Sequence, residues 1–235
     1  TSDFAINLRV NATPGVTAYI EIDKASGNIL SARGSGMIEL NSSSQRFDIN
    51  GDYNISGGNY KFVALGIASR DFEIKEGSSI KFNGDIMDSN LNIDAVYKTK
   101  ASLSTLIADT TSVNTRRNVE CGIQITDKLR NPRIGFSIDV PDIDPTVKSK
   151  VESALSTQDK IQKQFVALLL MGSFIPSESS GVFNSYNVLY SRVTSLMANQ
   201  INQILQRLDI PLDIGFGYQT GTTGKDIFDV AISTQ

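Results

Sequence analysis

The sequence predicts a mainly β fold: an antiparallel sheet with one apolar and one polar face, followed by amphipathic helices and terminal strands. Between Gly51 and Tyr97, apolar and polar residues alternate with a period of two, which is typical of half-buried strands. Gly, Asn, Asp or Ser closes each apolar run, and these residues favour turns. At Pro141 the alternation gives way to apolar residues that repeat every four positions, the spacing of an amphipathic helix.

Before Gly51, the same alternation predicts five short strands. They cover residues 4–10, residues 16–22, a run from Ile29, the pair Ile38 and Leu40, and the pair Phe47 and Ile49. Pro14-Gly15 ends the first strand with a turn, and a bend at residues 34–36 separates the third strand from the fourth. Polar residues 41–44 form a hairpin loop. Strands at this spacing predict a meander and not β-α-β units.

Residues 98–118 weaken the strand pattern, because Ser, Thr and Ala dominate there. We expect a long connection with one short strand. Three apolar residues anchor it: Leu103, Leu106 and Ile107. Alternation resumes at residues 119–125 and 134–140. Cys121 is expected to be inert and to face the sheet, since a reactive thiol needs cationic neighbours.

Capping signals place the first two helices. Asp144-Pro145 combines an N-cap residue with Pro at the first helical position, and Val147 and Val151 then start an apolar stripe. A second helix begins at the capping-box arrangement of residues 156–159 and continues to Gly172.

A longer third helix is predicted over residues 184–208. Its polar face is Asn, Gln and Ser, with Arg192 and Arg207 as its charges. A membrane-surface helix usually has a basic polar face, so packing against the rest of the domain is the favoured interpretation. Alternation then returns at residues 212–218 and 227–232, where we expect terminal strands.

The composition excludes several classes of function. The 235 residues include 22 basic and 25 acidic side chains, a net charge of −3, so nothing draws the chain to nucleic acid or to an anionic membrane surface. The absence of His removes the commonest general base and metal ligand. A single Cys excludes an internal disulfide. No apolar run is long enough for a transmembrane helix.

Motifs that imitate functional sites lack the context that function needs. Ser78 and Lys81 match Ser-x-x-Lys, but they lie on a predicted strand without the partner motifs of that enzyme class. Gly215 and Gly217 imitate a nucleotide loop, yet no strand-to-helix turn follows them. Two acidic pairs have too few ligands for calcium and are interpreted as turn carboxylates: Asp85 with Asp88, and Asp142 with Asp144. We expect no enzyme, catalytic residue, metal or cofactor.

Glycines, aromatic residues and aliphatic residues recur in a definite order in the central stretch. The positions are Gly51, Tyr53, Ile55, Gly58, Tyr60 and Phe62; then Phe72, Ile74, Gly77, Ser78, Ile80, Phe82 and Gly84; then Leu91, Ile93, Ala95 and Tyr97. This order resembles the C-terminal domain of the TamB family, AsmA-like bridging proteins of the Gram-negative envelope. The resemblance extends from about Gly34 over the rest of the chain. Residues 127–132 depart from the family pattern, because a Gly is expected before the Leu-x-Asn-Pro turn.

The resemblance implies a curved sheet folded into a U-shaped, taco-like apolar groove that carries phospholipid between the inner and outer membranes. The implied groove-lining residues are Ile38, Leu40, Phe47, Ile49, Tyr60, Phe62, Phe72, Ile74, Ile80, Phe82, Leu91 and Ile93. The family also implies a periplasmic location, a full-length protein anchored in the inner membrane, and a TamA-like outer-membrane barrel as partner. The expected docking residues for that barrel are Leu212, Ile214, Phe216 and Tyr218.

Alternatives to the groove stay open at this point. Alternation alone favours a closed sandwich with interlocking side chains over an open groove. The family resemblance instead favours the groove. The second function hypothesis is a scaffold that helps outer-membrane proteins, including autotransporters, to assemble through exposed strand edges. A purely structural β-domain ranks last, since the sequence has no repeat of fixed period.

We expect three regions and a longer parent protein. Residues 1–140 should be the groove-forming β-domain, residues 141–209 a helical segment packed on the sheet, and residues 210–235 a terminal hairpin. The chain begins within a strand pattern and ends within another, so we expect a fragment whose last hairpin is truncated.

Overall fold

The computed structural model describes residues 5–15, 17–23, 28–43, 46–64, 68–108, 115–176, 195, 213–219 and 227–233. The strands of this part of the chain are β1 Ile6–Ala12, β2 Thr17–Asp23, β3 Asn28–Ser42, β4 Phe47–Ala64, β5 Ala68–Ile74, β6 Ser78–Ser102, β7 Arg116–Lys128, β8 Arg133–Asp139, β9 Asp213–Gln219 and β10 Ile227–Ser233. Its helices are α1 Ser104–Ile107, α2 Pro145–Ala154 and α3 Gln158–Met171. None of the described helices is long and apolar enough to cross a membrane. The helix predicted over residues 184–208 lies outside the described residues, apart from Ser195.

Strands β1 to β8 form one antiparallel sheet, which confirms the predicted mainly β fold with a curved sheet. From β2 onward each strand pairs with its successor, as a meander requires. Strand β1 instead lies end to end with β2 along one side of β3, with Leu8 opposite Leu40 and Ala18 opposite Ala32. Pro14-Gly15 therefore separates two strands that run in the same direction, and it does not reverse the chain.

A β-bulge in β4 keeps its apolar residues on one face. Gly34 lies opposite Ile55 but Arg33 lies opposite Gly57, so Ser56 is an extra residue in the ladder. Apolar residues occupy odd positions before the bulge and even positions after it, and in a regular strand they would face opposite sides. The extra residue shifts the phase and returns both sets to the same side.

Strand β3 is one strand of 15 residues, so the predicted separation into two strands at residues 34–36 is wrong. The glycines there do not form a turn. They allow β4 to approach, because a Cβ atom at Gly36 would collide with the carbonyl oxygen of Asp52. Glycine within a strand often marks such a close backbone approach.

Strand β6 has 25 residues but folds back on itself. The backbone N–H of Asp94 donates to Ser78 Oγ at 3.0 Å, although a straight strand would separate these residues by about 50 Å. The reversal lies near Gly84, whose φ is 95°, and the backbone N–H of Met87 donates to Asp85 Oδ1 at 2.8 Å. The first part of β6 therefore pairs with β4, and its second part pairs with β7.

The predicted connection over residues 98–118 is wrong at its start. Strand β6 continues to Ser102 and pairs with β7 as far as Arg116, so backbone pairing overrides the weak side-chain pattern. The turn of helix α1 follows directly. Leu103 and Leu106 are 0% and 2% exposed, which confirms that they anchor this connection.

The caps of α2 and α3 follow the sequence signals. The backbone N–H of Thr146 donates to Asp144 Oδ1 at 2.8 Å, with Pro145 next to the cap. Helix α3 is capped by Thr157, one residue beyond the start of the predicted capping box, and it ends at Gly172 in the left-handed conformation.

Aromatic contacts fix α3 on the sheet. The Phe165 ring lies 4.9 Å from the Phe136 ring and 6.4 Å from the Phe72 ring, measured between centroids. Arg70 Nε donates to the Leu169 carbonyl oxygen at 2.8 Å, close to the end of α3. The buried Gln164 side chain exchanges two hydrogen bonds with the backbone of Ile175, at 2.8 and 3.0 Å. These contacts hold the helices over one half of the apolar face.

Gly51 tests how far the sheet depends on close strand contacts. Its φ is 124°, and a Cβ atom there would collide with the carbonyl oxygen of Met37. We expect Gly51→Ala to lower the free energy of unfolding by about 2 kcal/mol. Gly135→Ala is the matched control, since its Cβ would meet only Gln124 at 3.9 Å and should cost less than about 0.5 kcal/mol. Equal losses in urea titrations of the two variants would contradict this account.

Candidate functional site

Strand register assigns the side chains of the sheet to its two faces. Residues directly opposite each other in an antiparallel pair project to the same side. One such row joins Leu8, Leu40 and Ile49 across three strands. The next row joins Val10, Ile38, Gly51 and Phe82 across four. Both rows are apolar apart from the glycine, so this face offers a continuous hydrocarbon surface.

The opposite face is polar. Arg9 lies opposite Glu39, and Arg9 Nη2 reaches Glu39 Oε1 at 2.6 Å. Asp52 lies opposite Lys81. The residues on both sides of Asp52 and of Lys81 in sequence belong to the apolar face, so this pair projects from the polar face. The alternation seen in the sequence therefore separates a wet face from an apolar one.

The helices of the described residues cover only part of the apolar face. A core cluster formed with α2 and α3 reaches the row of Ala95, Ile123 and Phe136. The next row, which contains Ile93, Ile125 and Ile134, lies outside that cluster, and its side chains are half-buried. The boundary of the covered core therefore falls between two neighbouring rows of the sheet.

The predicted groove residues divide across this boundary. Phe62 and Phe72 are 2% and 1% exposed in the helix-covered core, so their prediction as open lining is wrong. Tyr60 packs against this core and is half-buried. Helix α3 covers Phe72 through the stacked ring of Phe165. Ile74 is buried next to this core. The other predicted residues lie outside the core cluster: Ile38, Leu40, Phe47, Ile49, Ile80, Phe82, Leu91 and Ile93.

Further residues of this face lie outside the core cluster, and the sequence did not assign them to the groove. They include Leu8, Val10, Tyr53, Ile55, Ile125 and Ile134. Ile49 and Ile55 are 7% and 4% exposed, so these two side chains are buried although they lie outside that cluster. Each of the six alternates in phase within its strand, but only the pairing register shows that these strands meet the others. We call these six residues and the eight predicted ones the trough. They lie on six strands: β1, β3, β4, β6, β7 and β8.

The trough can shelter hydrocarbon, since its lining side chains are aliphatic and aromatic. Burial raises the pKa of the Cys121 thiol to about 12, and this residue lies in the covered core, so the prediction of an inert cysteine that faces the sheet is confirmed. No group of three or more metal-ligating side chains comes together among the described residues.

Asp127 accounts for the departure from the family pattern at residues 127–132. Its φ is 71°, the left-handed conformation that usually calls for glycine and that Asp tolerates better than most residues. Arg133 Nη2 lies 3.2 Å from Asp127 Oδ2. Asp127 thus gives this segment a left-handed backbone position without a glycine.

The predicted docking residues lie in or beside β9. Ile214, Phe216 and Tyr218 are opposite Ile232, Val230 and Phe228 of β10 in a two-stranded antiparallel sheet. Leu212 lies outside the described residues.

A family model for the TamB C-terminal domain matches residues 1–235, the whole chain. The chain therefore belongs to the TamB C-terminal domain family, which confirms the resemblance. TamB proteins act with TamA in the translocation and assembly module, a system that bridges the periplasm. No curated protein matches the chain.

Two phenylalanines on the same face test the boundary of the covered core. Phe72→Ala should lower the free energy of unfolding by about 3–5 kcal/mol, because it opens a cavity under α3. Phe82→Ala should cost about 1–2 kcal/mol, since Phe82 is half-buried in the trough. Denaturant titrations of both variants measure the difference. Similar losses would mean that Phe82 also belongs to a closed core.

Proposed function

We propose that the trough carries the acyl chains of phospholipids between the inner and outer membranes of a Gram-negative bacterium. The chain acts as one section of a periplasmic bridge whose full-length protein is anchored in the inner membrane. The observation that carries this proposal is the half of the apolar face that the helices of the described residues leave uncovered. Folded domains normally bury such a face against a second layer, and here α2 and α3 supply that layer over only one half.

The energetics of an acyl chain in water support a trough as the carrier. Each methylene kept from water contributes about 0.8 kcal/mol, so a sixteen-carbon tail exposed in the periplasm costs on the order of 12 kcal/mol. A continuous apolar surface removes most of that barrier without forming or breaking a bond. Its lining needs no specific contacts, which suits a row of Ile, Leu, Val and Phe side chains.

A TamA-like barrel is the partner that we propose for the terminal strands. Within the described residues, β9 pairs only with β10, so each presents an edge with unpaired backbone N–H and C=O groups. Such edges pair readily with a strand of another chain. The same edges favour the alternative function, a scaffold that assists the assembly of outer-membrane proteins.

Site-specific photo-crosslinking in cells that make the full-length protein tests the proposal. A crosslinker that replaces Phe82 should capture lipid, because this side chain lies in the trough. A crosslinker at Lys81 is the matched control, since this neighbouring residue projects from the polar face. Equal capture of lipid at both positions, or none at Phe82, would reject the trough as the carrier.

A blocking charge separates transport from assembly. Phe82→Glu places a carboxylate in the trough, and it should abolish lipid capture by a crosslinker at Leu40 because a buried unpaired charge is costly. The folded state is checked by circular dichroism. If lipid capture persists while crosslinks from residues 214–218 to the barrel are lost, the assembly scaffold is the better account.

A further inference from the structure

Strand β8 forms one edge of the sheet that β1 to β8 build. It pairs with β7 on one side, and within the part of the chain that the structure describes no strand pairs with its other side. The outward backbone N–H and C=O groups of β8 are therefore available to a further strand. Soluble proteins usually protect such an edge with a proline, a bulge or a charge on the apolar face, and residues 134–138 contain none of these.

The apolar side chains of β8 are incompletely covered. The Phe136 ring lies 4.9 Å from the Phe165 ring, measured between centroids, and Ile138 packs against the same core. Both residues stay half-buried, as does Ile134 in the trough. Cys121, directly opposite Ile138 on β7, is 1% exposed. Burial therefore falls off at β8, where a neighbouring strand would cover the outer side of these side chains.

The polar face of β8 carries opposite charges at its two ends. Arg133 begins the strand and Asp139 ends it. Asp139 lies opposite Glu120 of β7, and like charges directly opposite each other destabilise a sheet. Lys98 lies opposite Glu120 on the other side, but its Nζ atom pairs with Glu73 at 3.3 Å. The acidic end of β8 thus has no ion-pair partner among the residues that the structure describes.

Arg133, at the basic end, is free to change its partner. Its side chain is 79% exposed, and its Nη2 atom lies 3.2 Å from Asp127 Oδ2. An exposed ion pair of this kind contributes only about 0–1 kcal/mol, so Arg133 exchanges Asp127 for another carboxylate at little cost.

Antiparallel pairing of β8 with β8 of a second copy joins the basic end to the acidic end twice. If the two Phe136 residues lie opposite each other, Ile134 lies opposite Ile138, and Arg133 lies opposite Asp139. A two-fold axis perpendicular to the sheet keeps the apolar residues of both copies on the same side. Pro132 and Pro141 flank the strand and lack a backbone N–H, so they limit the ladder to this segment.

We propose that two copies of this chain associate edge to edge through β8, in the antiparallel register centred on Phe136. The outward backbone groups of each strand then bond to the other, and the outer sides of Phe136 and Ile138 become covered. Arg133 of each copy neutralises the Asp139 and Glu120 carboxylates of the other. This inference goes beyond the proposed function and does not depend on lipid transport.

Charge reversal at β8 tests the inference, with sedimentation of the 235-residue chain as the measurement. The unaltered chain should form a concentration-dependent dimer. Arg133→Asp should raise the dissociation constant at least about tenfold, because it adds a carboxylate beside two others at both ends of the pairing. Arg9→Asp is the matched control: it also changes an exposed, ion-paired arginine of the polar face, but on β1, and the dimer should persist.

A complementary variant tests the pairing itself. Asp139→Arg should weaken the dimer as Arg133→Asp does, since arginines then face each other. An equimolar mixture of the two variants should restore a mixed dimer, because the new carboxylates of one face the arginines of the other. Melting temperatures show whether each variant is folded. A mixture that stays monomeric while both variants are folded would overturn the inference.

Disulfide formation tests the register. Gly135→Cys in one preparation and Ser137→Cys in another should crosslink when mixed, because these positions lie directly opposite in the proposed pair. Either variant alone should crosslink poorly, since its two cysteines are diagonal neighbours about 7–8 Å apart. Cys121 is buried and should stay reduced. An unaltered chain that remains monomeric, or a dimer that Arg133→Asp leaves intact, would overturn the inference.

Discussion

The phase of side-chain alternation across β4 is the constraint on which the rest of this molecule depends. Side chains of a strand alternate with a period of two, so one misplaced residue turns every later side chain to the other face. Strand β4 changes from odd to even apolar positions at Ser56, where the bulge inserts one residue. Without that residue, Tyr60 and Phe62 would project from the polar face, and the core under α3 would lose them. Within β4, the trough and the covered core lie on one face because of this bulge.

Packing of α3 then decides what each half of that face does. Phe165 contacts Phe136 and Phe72, and Arg70 holds the end of the helix, so this half becomes a closed core. The core cluster ends at the row of Ala95, Ile123 and Phe136. From the next row, which begins with Ile93, the same pattern of aliphatic residues continues as the trough. The covered core and the trough thus use the same side-chain chemistry, and among the described residues they differ in whether the helices cover them.

Local sequence signals predicted the local structure well. Alternation located most strands, and the caps at Asp144 and Gly172 located both described long helices. Three features depended on contacts between distant residues and could not be predicted: the bulge opposite Arg33, the reversal within β6, and the covering of Phe62 and Phe72 by α3. Sequence alternation marks a residue as apolar-facing, but it does not say whether a helix or a ligand covers that face.

The central claim is that the trough binds the tails of a diacyl lipid, and native mass spectrometry measures this most directly. The chain is purified without detergent, incubated with phosphatidylethanolamine vesicles, separated from them and transferred intact to the gas phase. The account predicts a series of masses that exceed the protein mass by that of one or more phospholipids, with tail lengths that vary because the lining is unspecific. A folded chain that stays free of lipid throughout would contradict it.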